Sequence, residues 1–160
     1  AILHHATSEK KEYISRPYAS GGALYPIEIY YLNNYDSDAF HTGLYHYSPV
    51  SKEFSYIKKV NISSIGETLG CSQPWVNNAS GVFMLTYCPE INMHKYGWFG
   101  VRAALIECGE ITQNIQLLAE ACDVRARMIG YGDQERIDEL LEVDGYSELS
   151  VALIGIGKKA

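Results

Sequence analysis

Hydrophobic and polar positions change their period near the middle of this chain of 160 residues. In the first half, short apolar runs are separated by turn residues, a pattern typical of β-strands. Strands are predicted at residues 27–32, 43–47, 54–57 and 81–87, and a short helix at residues 63–69. The second and third strands are close enough to form a hairpin. The fourth is almost wholly apolar, as expected of a central strand that is buried on both faces.

In the second half, from Val101 onward, apolar residues recur with the period of an α-helix. The predicted apolar stripe consists of Val101, Leu105, Cys108, Ile111 or Thr112, Ile115, Leu118, Ala119 and Cys122. Asp133 is expected to cap a second helix over residues 134–141, and residues 149–156 form the last predicted strand.

This order of elements predicts an α+β or mixed α/β sandwich in a single domain, residues 1–160. A mostly antiparallel sheet is expected to be covered by the long helix. Residues 1–15 fit no predicted element. The chain begins with Ala1 rather than Met, which is consistent with a fragment or a processed product.

Composition and charge argue against several classes of protein. Apolar residues make up 47% of the chain and charged residues 20%, which is typical of a soluble globular protein. The net charge of −6 and the lack of basic runs argue against binding to nucleic acid or a membrane surface. No apolar stretch approaches a membrane span and no signal-peptide pattern is present, so the cytoplasm is predicted. The four cysteines lack zinc or redox spacing, so no metal site is predicted.

Lys95 and Tyr96 stand two residues before the long amphipathic segment and are the first candidates for chemistry. Lysine and tyrosine side chains ordinarily titrate near pH 10, but a helix N-terminus, a neighbouring cation or desolvation can bring such groups into catalytic range. The pair is therefore a candidate for proton transfer. The alternative is an exposed Lys beside a packed Tyr at a helix start.

Three other segments are candidates for ligand contact, and each has a structural alternative. They are Ala19-Ser20-Gly21-Gly22, Met128-Ile129-Gly130-Tyr131 and Lys158-Lys159. The first lets backbone N–H groups and a hydroxyl approach a ligand, or is a loop that needs glycine for its turn. The second is a strand end leading into the capped helix, which is compatible with ligand contact. The third is a cationic contact or a solubilising pair near the end of the chain.

Five motifs follow one another along the chain. They are Arg16-Pro17-Tyr18-Ala19-Ser20-Gly21-Gly22-Ala23-Leu24-Tyr25-Pro26-Ile27-Glu28-Ile29-Tyr30, Gly43-Leu44-Tyr45-His46-Tyr47, Lys95-Tyr96-Gly97, residues 109–114 and Met128-Ile129-Gly130-Tyr131. In register from about Arg16 to Lys158, they resemble the nitroreductase superfamily. Within it, the chain resembles the SagB-type azoline dehydrogenases.

The resemblance implies an FMN enzyme, usually a homodimer with the flavin at the subunit interface. Such enzymes oxidise thiazolines and oxazolines in ribosomally made peptides to thiazoles and oxazoles, beside a cyclodehydratase. It implies that Lys95 or Tyr96 is the catalytic base, without deciding which. The implied flavin contacts are Ala19, Ser20 and Gly21 at the polar edge or ribityl chain, Met128, Ile129, Gly130 and Tyr131 near N5, and Lys158 and Lys159 at the phosphate.

One departure from the family concerns the cofactor. The early Arg-Arg-Ser-type phosphate clamp has no counterpart in residues 1–15. The clamp lies on a segment outside this sequence, or another group replaces it, or the chain binds flavin poorly. Part of the usual N-terminal helical region is accordingly expected to be absent. Two other functions stay open: a nitro- or flavin-reducing enzyme that uses NAD(P)H, and a flavin-free binding or scaffold subunit.

Overall fold

A six-stranded antiparallel sheet forms the frame of the molecule in a computed structural model that describes residues 16–158. The strands are β1 (Ile27–Asn33), β2 (Gly43–Ser48), β3 (Glu53–Lys58), β4 (Gly81–Tyr87), β5 (Val124–Ile129) and β6 (Leu149–Lys158). Their order across the sheet is β3-β2-β1-β4-β6-β5, so β3 and β5 are the edges. Strand β4 is buried along its whole length, because both faces of the sheet are covered at its centre.

Four α-helices accompany the sheet in the described part of the chain. They are α1 (Ile65–Thr68), α2 (Pro89–Tyr96), α3 (Trp98–Ala121) and α4 (Gln134–Leu141). The side chain of Asp133 accepts a hydrogen bond from the Arg136 N–H and so caps α4. Pro89 occupies the first turn of α2, where its missing N–H costs no helical hydrogen bond.

The two faces of the sheet have separate cores. Helix α3 packs on one face, where its Ile111 and Ile115 meet Ile29 and Leu85 from the strands. On the other face, α1 and α4 cover a second cluster. That cluster includes Leu32, Leu69, Met84, Ile137 and Leu141. Helix α3 therefore reaches only one side of the sheet, and this side carries the candidate chemistry described below.

The predicted α+β fold, the hairpin and the long helix are confirmed. Helix α2 and most of β5 were not predicted, because α2 mixes polar and apolar residues and β5 carries arginines at alternate positions. The predicted apolar stripe of α3 is wrong at Leu105 and Cys122, which are exposed. The assignments for residues 1–15 and for Lys159 lie outside the described residues.

Candidate active site

Lys95 and Tyr96 form the last turn of α2 and do not open the long helix. Gly97, with a φ of 54°, turns the chain between α2 and α3. The Lys95 ammonium lies 5.1 Å from the centre of the Tyr96 ring, a cation–π contact. The alternative of an exposed Lys beside a packed Tyr at a helix start agrees with the exposure of Lys95. Tyr96, however, is only partly buried, and the two residues end helix α2 instead of starting a helix.

The loop over residues 19–22 lies directly against this pair, more than seventy positions away in the sequence. Gly22 has a φ of 65°, a backbone conformation that residues other than glycine rarely adopt. A methyl group on Gly22 would lie 2.6 Å from Tyr96 Oη and 3.0 Å from Lys95 Nζ. The backbone of the loop therefore reaches the polar ends of both side chains, and the structure brings together two of the predicted segments.

Two carboxylates on one side of α3 hold this loop. Glu107 Oε1 accepts a hydrogen bond from Ser20 Oγ at 2.9 Å and one from the Gly21 N–H at 3.3 Å. Glu110 Oε2 accepts one from the Ala19 N–H at 2.7 Å. These two acidic residues were missed from the sequence, because a helical period offers no reason to place Glu107 inside the protein.

The Ser20 hydroxyl makes two internal hydrogen bonds. It donates to Glu107 and accepts from the Tyr25 N–H at 2.8 Å. These bonds bracket the tight turn Gly21–Ala23. The sequence alternative, a loop that needs glycine for its turn, is therefore correct at Gly22. The flavin contacts of Ala19, Ser20 and Gly21 stay a prediction.

Glu107 is an unusual residue for the interior, since it is only 1% exposed. Burial raises the pKa of its carboxyl group, and the hydrogen bonds from Ser20 and Gly21 offset part of that rise. Its second oxygen, Oε2, has no hydrogen-bond partner within residues 16–158. Both hydrogen bonds that the Glu107 carboxyl group accepts therefore come from the 19–22 loop.

The segment over residues 128–131 lies at the end of edge strand β5. Met128 is 49% exposed and lines a cavity of about 430 Å³ together with Cys108 and Thr112 of α3. Helix α3 consequently contacts both groups of predicted residues, the 19–22 loop through Glu107 and Met128 through the cavity that it shares with Cys108. Contact of Met128, Ile129, Gly130 and Tyr131 with a flavin stays a prediction.

Lys158 lies at the far end of the same pair of strands. It pairs with Val124 across β6 and β5, whereas Ile129 pairs with Leu153. Lys158 lines a second groove, of about 410 Å³, with Arg125, Arg127 and Trp75. The Arg127 guanidinium lies 5.1 Å from the centre of the Trp75 ring.

The composition of this groove would suit an anion. Arg125, Arg127 and Lys158 all line it, whereas no Asp or Glu does. The Glu120 carboxylate approaches Arg125 only to 3.8 Å. Sequence reasoning missed Arg125 and Arg127, although two cations two positions apart just before a predicted strand end are a usable signal.

Neither a membrane helix nor a metal centre is found over residues 16–158. No helix there is sufficiently long and apolar to span a bilayer. Nor do His, Cys, Asp and Glu side chains gather there in any group of three or more that could hold a metal ion.

Comparison with known proteins gives matches along nearly the whole chain. The model of the nitroreductase family matches residues 1–158. The microcin B17-processing protein McbC of Escherichia coli is 35% identical over 128 residues, which are 75% of this chain and 46% of McbC. The chain therefore spans about half the length of that relative.

Solved structures share the fold at lower identity. The E. coli microcin synthetase McbBCD complex with truncated pro-MccB17 bound matches with a TM-score of 0.87 and 24% identity, over 99% of this chain and 62% of that chain. A nitroreductase-type protein in complex with FMN, from Exiguobacterium sibiricum 255-15, matches with a TM-score of 0.60 and 16% identity, over 99% and 75% of the two chains.

Proposed function

This chain belongs to the nitroreductase family, and on that premise we propose that it is an FMN-dependent oxidoreductase that converts thiazoline or oxazoline rings of a ribosomally made peptide to thiazoles or oxazoles. The observation that carries the proposal is the convergence of Lys95 Nζ and Tyr96 Oη on the backbone of Gly22. The similarity to a microcin-processing protein supports a peptide substrate.

Lys95 and Tyr96 supply the acid–base chemistry of the proposed reaction. Aromatising an azoline ring removes a proton from one ring carbon and a hydride from its neighbour. One of the two residues accepts the proton, and the other assists it as a hydrogen-bond donor or a neighbouring charge. Bound FMN would supply the hydride acceptor. A simple reductase needs no such base on its substrate, which is why the pair favours the dehydrogenase.

FMN would be held by two groups of residues. We assign Ala19, Ser20, Gly21, Met128, Ile129, Gly130 and Tyr131 to its ring and ribityl chain, and Lys158 and Lys159 to its phosphate. Three cations line one groove without a carboxylate, which fits the charge of a phosphate group. Arg125 and Arg127 therefore take the place of the Arg-Arg-Ser-type clamp in our proposal.

We further propose that the protein is a homodimer in the cytoplasm and works beside a cyclodehydratase. Helix α3 also exposes a second row of apolar residues to solvent. Its members Phe99, Ile106 and Leu117 are each about 60% exposed. Their separations of seven and eleven residues place them on one face of the helix. Such a face is typical of an interface.

The dimer is tested by light scattering on the Ile106→Glu variant. The new carboxylate should convert the dimer to a monomer, because burying an unpaired charge in an apolar interface is unfavourable. Val50→Glu, at a position that is 73% exposed on the β2–β3 turn, is the matched control and should stay dimeric. A wild-type monomer would contradict the proposal.

The proposed activity is tested on protein reconstituted with FMN and supplied with an azoline-containing peptide, with mass loss of 2 Da per ring as the readout. Tyr96→Phe and Lys95→Ala should keep the flavin absorbance, while each lowers oxidation by about 100-fold or more. Tyr146→Phe and Lys59→Ala, at exposed positions outside the 19–22 loop and helix α2, are the matched controls.

Two outcomes would reject this function. Unchanged turnover in both site variants would remove the base, and failure of the wild-type protein to bind FMN would remove the oxidoreductase. Rapid anaerobic bleaching of the flavin by NADPH, without azoline oxidation, would favour the nitro- or flavin-reducing enzyme.

A further inference from the structure

We infer that Glu107 is a positioning residue, which holds Lys95 and Tyr96 in their working arrangement through the 19–22 loop. It touches neither member of the pair by hydrogen bond. It acts through the backbone of the 19–22 loop, next to which the Lys95 and Tyr96 side chains lie. The part of this inference that concerns turnover rests on the proposed function.

The first step is the attachment of the loop to α3. Glu107 Oε1 receives both the Ser20 hydroxyl and the Gly21 N–H, at 2.9 and 3.3 Å. Ser20 Oγ in turn accepts the Tyr25 N–H, so one chain of bonds fixes the turn at both of its ends. The loop is therefore tied to a rigid helix of 24 residues.

The second step runs from the loop to the pair. The Gly22 backbone lies so close to Tyr96 Oη and Lys95 Nζ that even one methyl group would collide with them. Gly21 also packs against the Tyr96 ring, where an added methyl group would lie at 3.6 Å. A displacement of the loop by about 1 Å would open or close the space that these groups occupy, and errors of that size can cost about 100-fold in rate.

The third step is the cost of keeping a carboxylate at this place. Glu107 is buried, and its Oε2 has no partner within residues 16–158. Burial of an incompletely paired carboxylate is unfavourable, and an apolar side chain of similar size would avoid that cost. An arrangement that costs stability and serves only the loop is typical of a functional constraint.

The experiment compares Glu107→Ala with Glu107→Gln in the FMN-loaded protein. The alanine removes the acceptor, whereas the glutamine keeps an oxygen for Ser20 and Gly21. We expect Glu107→Ala to lower kcat for azoline oxidation about 100-fold with KM changed less than about twofold. Glu107→Gln should keep kcat within about fivefold of the wild-type value, because the hydrogen-bond acceptor remains. In parallel, amide hydrogen exchange in a peptide covering residues 17–26 should speed up about tenfold in Glu107→Ala alone.

Asp138→Asn is the matched control, because Asp138 is also a buried carboxylate that accepts a backbone N–H, from Ser150, on the opposite face of the sheet. It should lower the melting temperature without changing kcat or loop exchange.

Unchanged loop exchange in Glu107→Ala would overturn the inference, and so would an equal loss of kcat in Glu107→Ala and Asp138→Asn. If the wild-type protein oxidises no azoline but the loop still loosens in Glu107→Ala, the proposed function fails while the positional role of Glu107 stands.

Discussion

The two ends of the candidate site are built in opposite ways. At the 19–22 loop, polar groups are paired inside the protein and the carboxylate of Glu107 is buried. At the β5–β6 edge, Arg125, Arg127 and Lys158 line an open groove without a carboxylate. One end is fixed before any ligand arrives, and the other offers charge that a ligand can neutralise.

Small residues in a loop do not by themselves mark a ligand site. A run of Ala, Ser and Gly permits close approach, but the groups that a side chain on Gly22 would meet first are the ends of Lys95 and Tyr96. The glycines of this loop make room for catalytic candidates of the same chain. The cations at the edge of the sheet, in contrast, line a groove that contains no carboxylate, and this is the clearer mark of an external ligand.

The largest effect that would separate the two ends is expected from Gly22→Ala. The added methyl group would meet Tyr96 Oη at 2.6 Å, and alanine is strained at a φ of 65°. We expect a loss of about 2 kcal/mol in the free energy of unfolding, together with a drop in azoline oxidation of about 100-fold. Urea denaturation and turnover measure the two effects.

Gly21→Ala is the comparison for that variant, because its methyl group would find Tyr96 and Ala103 at ordinary contact distances of 3.6 and 3.8 Å. Its free energy of unfolding should change by less than about 0.5 kcal/mol. Equal destabilisation by both substitutions would mean that the loop as a whole, and not the place of Gly22, resists side chains.

A smaller effect is expected at the open end from Arg127→Gln. If this groove holds the phosphate of FMN, loss of one charge-assisted contact should weaken FMN binding about tenfold. Riboflavin, which lacks the phosphate, should bind equally well to the variant and the wild-type protein. Quenching of flavin fluorescence measures both affinities.

Lys59→Gln removes an equal charge from an exposed position outside the groove and controls for the net charge of the protein. Equal weakening of FMN and riboflavin by Arg127→Gln would place the ring, and not the phosphate, beside Arg127. An unchanged FMN affinity would exclude Arg127 as a contact of the phosphate.

Sequence reasoning succeeded where periodicity and burial agree. Strand β4 and helix α3 were predicted because their apolar patterns are long and regular. It failed at Glu107 and Leu105, whose burial is the reverse of what their side chains suggest. In α3, the period identifies a helix, but the partner on each face decides which residues are covered.

The candidate site was predictable only in part, for a related reason. The resemblance to a known family selected Lys95, Tyr96 and the 19–22 loop, but no local pattern could show that Gly22 touches the pair from more than seventy residues away. That contact depends on how β1, α2 and α3 pack together. Arg125 and Arg127 were visible in the sequence, but their common groove with Lys158 depends on the register of β5 and β6.

The smallest effect concerns the pH dependence of stability at the closed end. Burial raises the pKa of the Glu107 carboxyl group in the folded protein above its value in the unfolded chain. The folded state therefore holds this proton more tightly, and the associated stability is fully present below the unfolded pKa. It is lost as the pH rises through the folded pKa.

Glu107→Gln cannot lose a proton at this position, so it lacks that part of the pH dependence. The wild-type protein should be more stable relative to Glu107→Gln at pH 4 than at pH 8. Urea denaturation at both pH values measures the two free energies of unfolding. Arg127→Gln should show no comparable contrast with the wild-type protein, because it leaves the Glu107 carboxyl group unchanged. A wild-type protein that gains stability over Glu107→Gln between pH 4 and pH 8 would show that the hydrogen bonds from Ser20 and Gly21 outweigh burial. The loop would then stabilise the carboxylate more than the protein interior destabilises it.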